Sequence, residues 1–272
     1  MQTDQYDCRD FTERSSGGDA ESVDIGRLRE MLRGHSTGSI QPRGMTVAQI
    51  NAVQRYAVEE TRLGIPFLFS EEALHGYYDR QATCFPQQIG LAATFNPALG
   101  RKMGRAIATE ARAMGVQETY SPVMDLIRDP RYGRAEESYG EDTHLAAELA
   151  REVVAGMQET GLDAPDAVAA EPKHYAGYGA PVAGLNCAPT AMGRHEVFSD
   201  CLPVFEAAFR RGGAVDAMCS YNSIDGVPVS ADHELLTQVL REQWGMPGFV
   251  RSDLTAIVRL NDWHFVAETR EE

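Results

Sequence analysis

Segments with helical spacing alternate with short apolar runs of strand length along almost the whole chain. That alternation limits the fold more than any other feature, because it is the pattern of βα units wrapped around a parallel sheet. Helical spacing covers Glu21–Arg33, Thr46–Leu63, Pro97–Gly115, Asp142–Thr160, Gly193–Arg211 and Ala231–Trp244. Gly38–Ile40, Pro66–Ser70, Glu118–Met124, Ala167–Glu171, Val215–Ser220 and Gly248–Arg251 read as strands. Asn96-Pro97 and Ser230-Ala231-Asp232 before helices, and Gly115 and Gly245 after them, punctuate the pattern as helix ends require. The 272 residues are close to the ~250 of an α/β protein built as one (β/α)8 TIM-like barrel. Six strand candidates are too few for eight, so the barrel is expected to be incomplete at its carboxyl end. Residues 1–20 run through Ser15-Ser16-Gly17-Gly18 without apolar periodicity and read as a mobile tail; residues 21–272 form the barrel domain.

Composition excludes several classes. Hydrophobic residues at 43% and charged residues at 24% are those of an ordinary globular domain, and no apolar run approaches the ~20 residues that span a bilayer. Lys and Arg total 25 against 40 Asp and Glu, a net charge of −15 that repels phosphate backbones and anionic lipid. No nucleic acid and no membrane partner is therefore expected. The acidic opening MQTDQYDCRD lacks the basic and apolar regions of a secretory signal, so a cytoplasmic location is expected. Five cysteines, widely spaced and without a CxxC pair, read as reduced thiols.

Ionisable residues gather just after the expected strands: Glu71-Glu72, Asp125, Lys173-His174, Tyr221-Asn222 and Asp253. Strand ends of a parallel barrel share one face, where active sites lie. Carboxylates, a lysine and a histidine in one pocket suit a metal, a Schiff base or a polyhydroxylated ligand. The seven histidines are scattered singly, against the tight spacing that a metal site needs. Carboxylates and a histidine near Lys173 favour a charged lysine that donates hydrogen bonds over a desolvated nucleophile. No GxGxxG after a strand and no GxxxxGK[ST] is present. A sugar, whose hydroxyls both donate and accept, suits the mixture best.

Several stretches then carry a resemblance: GIPFLFSEEALHG (64–76), FPQQIGLAATFNP (85–97), SPVMDLIRDPRYGRAEESYGED (121–142), EPKHYAGYG (171–179), MCSYNSIDGVPVSAD (218–232) and VLREQWGMPGFVRSDLTAI (239–257). In this order and spacing, from about Leu28 to the carboxyl end, the chain resembles glycoside hydrolase family 3, the β-glucosidases and related exo-acting enzymes. The resemblance implies a (β/α) barrel in which Asp253 is the nucleophile, forming a covalent glycosyl-enzyme with net retention. It implies that Arg134, Lys173 and His174 hold hydroxyls of the first sugar and that Tyr221 lies beside the nucleophile. Glu72 stands where many members have an aspartate that binds two sugar hydroxyls; longer by one methylene, it still accepts bidentate hydrogen bonds but must sit farther back. Asp125 is expected to support Arg134. The implied partner is a β-linked carbohydrate, with no cofactor and no metal.

The departures bear on function too. Arg251 stands where the family often has an apolar residue, and Leu254 where it often has a tryptophan, which removes an aromatic platform for the neighbouring sugar. KHYAGYG, with Tyr178, differs from the KHxPGHG of the single-domain β-N-acetylglucosaminidases. Most other members place the acid/base glutamate in a second, carboxyl-terminal α/β sandwich domain. No glutamate here matches that position, so the acid/base is expected to be absent and the chain to be the truncated amino-terminal part of such an enzyme. The leading expectation is a β-glucosidase-type exo-hydrolase. β-Xylosidase and α-arabinofuranosidase activities share the motifs, and a catalytically incomplete sugar-binding fragment is the alternative of another class.

Overall fold

In the computed structural model, which describes residues 5–7, 9, 11–14 and 20–272, all six expected strands are present, each two to four residues long and some shifted by a residue toward the carboxyl end. The chain runs β1 (Gln5–Asp7), β2 (Thr12–Arg14), β3 (Ala20–Val23), α1 (Ile25–Leu32), β4 (Ser39–Gln41), α2 (Val47–Glu60), β5 (Leu68–Glu71), α3 (Gln88–Ala92), α4 (Pro97–Ala113), β6 (Glu118–Thr119), α5 (Thr143–Met157), β7 (Ala169–Ala170), β8 (Ala217–Cys219), β9 (Ser223–Ile224), β10 (Val227–Pro228) and β11 (Val250–Ser252). Helical turns over 194–212 precede β8, and a helix at Glu234–Gln243 precedes β11.

Parallel ladders join β1 to β4, β4 to β5, β5 to β6, β6 to β7 and β8 to β11. Past β7 the line continues: Met218 N donates to Pro172 O at 3.1 Å and Tyr175 N to Met218 O at 2.8 Å, which seats β8 beside it. The described parallel strands thus follow one another as β1-β4-β5-β6-β7-β8-β11, with helices outside. Arg251 of β11 reaches back to Ser39 of β4 at 2.5 Å, which only a sheet curled into a barrel permits. The fold is a TIM-like α/β barrel.

The first of those strands lies within residues 1–20, ahead of the first strand that the apolar pattern suggests. Gln5–Asp7 pairs with Ser39–Gln41, Thr12–Arg14 pairs antiparallel with Ala20–Val23, and Phe11 is buried. Three-residue strands hold too few side chains for an apolar period to show. Residues 1–4, 8, 10 and 15–19 of that stretch lie outside the described residues. Because Ala20–Val23 is a strand, the helix expected from Glu21 begins later, at Ile25, where the Asp24 side chain accepts the Arg27 N–H at 2.9 Å and caps it.

The outer layer is fastened by close helix contacts. The inward stripe of α5, Leu149, Val153, Val154 and Met157, is fully buried, each side chain worth roughly 1.5–3 kcal/mol of burial. α4 lies against it so closely that a Cβ on Gly104 would meet Val153 O at 2.3 Å and one on Gly156 would meet Arg101 O at 2.2 Å. The inside of the barrel is unusual. Instead of branched aliphatic side chains alone, it buries Ser39, Ser70, Glu118, Glu171, Asp216 and Arg251. Among the described residues, no helix is long and apolar enough to cross a membrane.

Candidate active site

The strand ends bring Glu72, Asp125, Lys173, His174, Tyr221 and Asp253 to one face. Glu72 follows β5 and Lys173 follows β7, 101 residues apart in sequence. Lys173 Nζ donates to both oxygens of Glu72, at 3.0 and 2.7 Å. The lysine is buried, whereas the Glu72 side chain is 39% exposed, so this pair presents its carboxylate to solvent. The aromatic ring of Tyr120 lies beneath the ammonium, 5.9 Å from its centroid.

His174 is held in one orientation. Its Nδ1 lies 2.7 Å from Asp125 Oδ2, and its backbone N–H donates to Asp125 Oδ1 at 3.2 Å. On the other side Nε2 lies 3.2 Å from Arg134 Nη2. A guanidinium only donates, so Nε2 carries the lone pair and Nδ1 carries the proton that Asp125 accepts; the tautomer follows from its partners. Asp125, expected to support Arg134, reaches it through the His174 ring and not by direct contact. The arginine is instead gripped by Glu137, with Nε 3.0 Å from Oε1 and Nη2 2.8 Å from Oε2. Burial pushes the Arg134 pKa down, but Glu137 outweighs it and the net shift is upward, so the cation is secure. Glu137 escapes a reading of the sequence by motif alone, although its position three residues after Arg134 in a turn is a usable signal.

Asp253, just past β11, has its Oδ1 fixed by two donors, the Tyr221 hydroxyl and the Leu254 N–H, each at 2.7 Å. Its Oδ2 points toward His174, 3.6 Å from Nε2. Burial, and then the charge of Asp253, push the Tyr221 hydroxyl up from its ordinary value, so it stays protonated and donates. Tyr221 is held in turn. Arg259 stacks 4.3 Å from its ring centroid, and His264 Nε2 meets its carbonyl at 2.9 Å. A carboxylate with one oxygen restrained by two donors and the other turned into the site is placed to attack or to stabilise positive charge.

The remaining candidates are structural. Glu71 is buried and accepts from Gln41 Nε2 at 2.6 Å and from the backbone N–H of Arg43 and Glu72. Asn222 donates to Thr190 Oγ1 at 2.9 Å. Tyr178, one of the departures, packs 4.9 Å from the His174 ring and donates to Asn186 Oδ1 at 2.7 Å. The backbone of Gly179 beside it presses so closely on Leu126 that a Cβ would lie 2.2 Å from its carbonyl oxygen. Leu254 is 58% exposed beside Asp253.

Known proteins are similar in sequence and in fold. Residues 24–271 match the model of the glycosyl hydrolase family 3 N terminal domain. A β-xylosidase of Formosa agariphila is 39% identical over 219 residues, 78% of this chain and 30% of the relative. A periplasmic β-glucosidase of Salmonella typhimurium is 37% identical over 234 residues, 86% of this chain and again 30% of the relative. Among solved structures, the β-glucosidase EmGH1 of Erythrobacter marinus superposes with a TM-score of 0.83 at 37% identity, covering 89% of this chain and 33% of that one. The β-glucosidase of Listeria innocua in complex with glucose gives 0.85 at 31% identity, covering 97% and 36%. The chain therefore spans about a third of the length of the relatives it matches. With the family model matched over all but the first residues and the last, the chain belongs to glycosyl hydrolase family 3 and forms its N-terminal domain.

Proposed function

We propose that this domain carries the nucleophile and first-sugar subsite of a retaining, exo-acting glycoside hydrolase of β-glucosidase type. The observation that carries the reading is Asp253, restrained through Oδ1 by Tyr221 and Leu254 with Oδ2 left facing His174. Glu72, Lys173, His174 and Arg134 hold hydroxyls of the terminal sugar through charged or imidazole groups, whose hydrogen bonds are the stronger kind. Oδ2 forms a bond to the anomeric carbon as the glycosidic C–O bond breaks, and the departing oxygen takes the bonding electrons. Water later attacks the same carbon from the other face and releases Asp253, giving net retention.

The departing oxygen of a natural glycoside also needs a proton. Among the described residues around Asp253, Asp125 is bound to His174, Glu72 to Lys173 and Glu137 to Arg134. Each of these carboxylates is thus already engaged by a cation or an imidazole. The proton donor therefore belongs outside this set of residues, in agreement with the acid/base glutamate that the family resemblance places in another domain.

A test uses 2,4-dinitrophenyl β-glucoside, whose leaving group needs no protonation. Expected is a burst of dinitrophenolate and a protein one sugar heavier by intact mass, both absent in Asp253→Asn. An unlabelled wild-type chain, or an equally labelled Asp253→Asn, overturns the reading.

A β-xyloside substrate is the second reading. It is favoured by the β-xylosidase relative. Comparison of nitrophenyl β-xyloside and β-glucoside labelling rates decides between them.

A further inference from the structure

β11 has one hydrogen-bonded neighbour among the described strands, β8. Backbone pairing thus fixes the height of Asp253 against β8 and, through β8, against the segment past β7, whereas other groups proposed to hold the sugar stand just past β5 and in the 131–137 loop. What ties β11 to the far side of the barrel is a side chain. The guanidinium of Arg251, 1% exposed, donates from Nε to Glu171 Oε1 at 2.8 Å, from Nη1 to Ser39 Oγ at 2.5 Å and from Nη2 to Ser70 Oγ at 3.4 Å and to Glu118 Oε2. One planar fork therefore touches side chains on β4, on β5, on β6 and just after β7, a geometry that only a guanidinium provides.

The contacts repeat in register with the site above. Side chains two residues apart on a strand point the same way, one step of about 6–7 Å higher. Glu171 is two residues before Lys173, Ser70 two before Glu72, Glu118 two before Tyr120 and Arg251 two before Asp253. The layer that Arg251 knits together is the floor under Lys173, Glu72, Tyr120 and Asp253. The floor also holds Asp216, whose carboxylate lies with those of Glu118 and Glu171 within 4.8 Å of one another. Three carboxylates so close repel each other unless a cation sits among them, and Arg251 is that cation.

We infer that Arg251 is a positioning residue for glycosyl transfer to Asp253. It sets the distance between the nucleophile's strand end and a sugar held by other strands. The inference rests on the proposed role of Asp253. Because Arg251 touches no sugar-binding side chain, its loss should move the nucleophile relative to a sugar that still binds, so the chemical step suffers while affinity does not. A displacement of an ångström or less is enough to slow such a step by about tenfold to a hundredfold.

The experiment measures labelling by 2,4-dinitrophenyl 2-deoxy-2-fluoro-β-glucoside, in which Asp253 Oδ2 bonds to the anomeric carbon as dinitrophenolate leaves with its electron pair. Arg251→Lys keeps the charge but cannot span the four partners. Arg251→Met with Glu118→Met and Glu171→Met removes the guanidinium together with both carboxyl groups that pair with it while filling their volume, a change that folded proteins commonly tolerate. Expected for each variant that melts cooperatively is a labelling rate constant lower by about tenfold or more, with the probe's dissociation constant little changed. A folded variant that labels at the wild-type rate overturns the positioning role. So does a failure of both variants to fold, which makes Arg251 a part of the scaffold alone. If the wild-type chain takes no label, the reading of Asp253 fails first and this inference falls with it.

Discussion

Asp125 Oδ2 lies 2.7 Å from Nδ1 of His174, with both side chains 2% exposed, and this one contact decides which face of the imidazole the site uses. With the proton on Nδ1, the Nε2 lone pair faces Arg134 and the site beyond it. Asp125→Asn replaces the anionic acceptor of the Nδ1 proton by a neutral amide that can turn its NH2 toward the ring, which loosens the hold on the imidazole. Expected is a fall in kcat/KM by about five- to 150-fold, the cost of about 1–3 kcal/mol for a disturbed buried hydrogen bond. Labelling kinetics with an activated glycoside check it, and an unchanged value in a folded variant refutes the role of Asp125.

Lys173→Ala leaves the Glu72 carboxylate without its cation and removes the donor proposed for sugar hydroxyls. Weaker binding of the first sugar is expected, with kcat/KM down by about five- to 150-fold. Glucose or isofagomine titrated by calorimetry gives the binding part directly, and wild-type affinity would remove Lys173 from the subsite.

Tyr221→Phe deletes one of two donors to Asp253 Oδ1 and keeps the ring under Arg259. A hydrogen bond to a charged group is worth about 1.5–3 kcal/mol, so labelling of Asp253 is expected to slow by about ten- to 150-fold. Substrate affinity should hold, because the ring's packing stays. Equal labelling rates in the two proteins would show that the hydroxyl does not matter.

The barrel floor makes stability depend on pH in an unusual direction. Burial first, and then repulsion from neighbouring carboxylates, raise Glu171 to about 8, against the pull of Arg251. Asp216 is raised for the same reasons, burial first and Glu118 next. A carboxyl with a raised folded pKa binds its proton more tightly folded than unfolded. Its contribution is complete below the unfolded value of 4.5 and is lost as pH climbs through about 8. The melting temperature is therefore expected to fall over that interval, and Glu171→Gln, which carries no ionisable proton, should flatten the fall. Calorimetric scans across the range test this; a rise in melting temperature toward pH 8 contradicts it.

A leaving group's acidity should control turnover. With Glu72, Asp125 and Glu137 each paired to a cation or imidazole, cellobiose is expected to be cleaved slowly by residues 1–272, since general acid help contributes typically 10²–10⁴-fold. The dinitrophenyl glucoside should still label Asp253, and added azide, which needs no general base, should speed release as a β-glycosyl azide. Rapid cellobiose hydrolysis by the same chain would require an acid among these residues.

Much of this was legible beforehand, and the legible part is local. The alternation of helical and strand-length segments located β4, β5, β6, β7, β8 and β11, since each period is written within a few neighbouring residues. The same locality placed Glu72, Lys173, His174, Tyr221 and Asp253 at strand ends, where the family's motifs had them. β1 escaped because three residues of strand carry no period, and Phe11 gives no pattern on its own.

The amino-acid sequence by itself determined the βα order, the family and the set of side chains at the strand ends, because propensity, capping and motif spacing act over a few residues. Only the tertiary structure decided the pairings: Asp125 with His174 rather than Arg134, Glu72 with Lys173, and Arg251 with partners 80, 133 and 212 residues away. Those distances follow from how the sheet curls and from which buried charge lies nearest to which. Barrel closure settles both across strands, and no run of neighbouring residues encodes them.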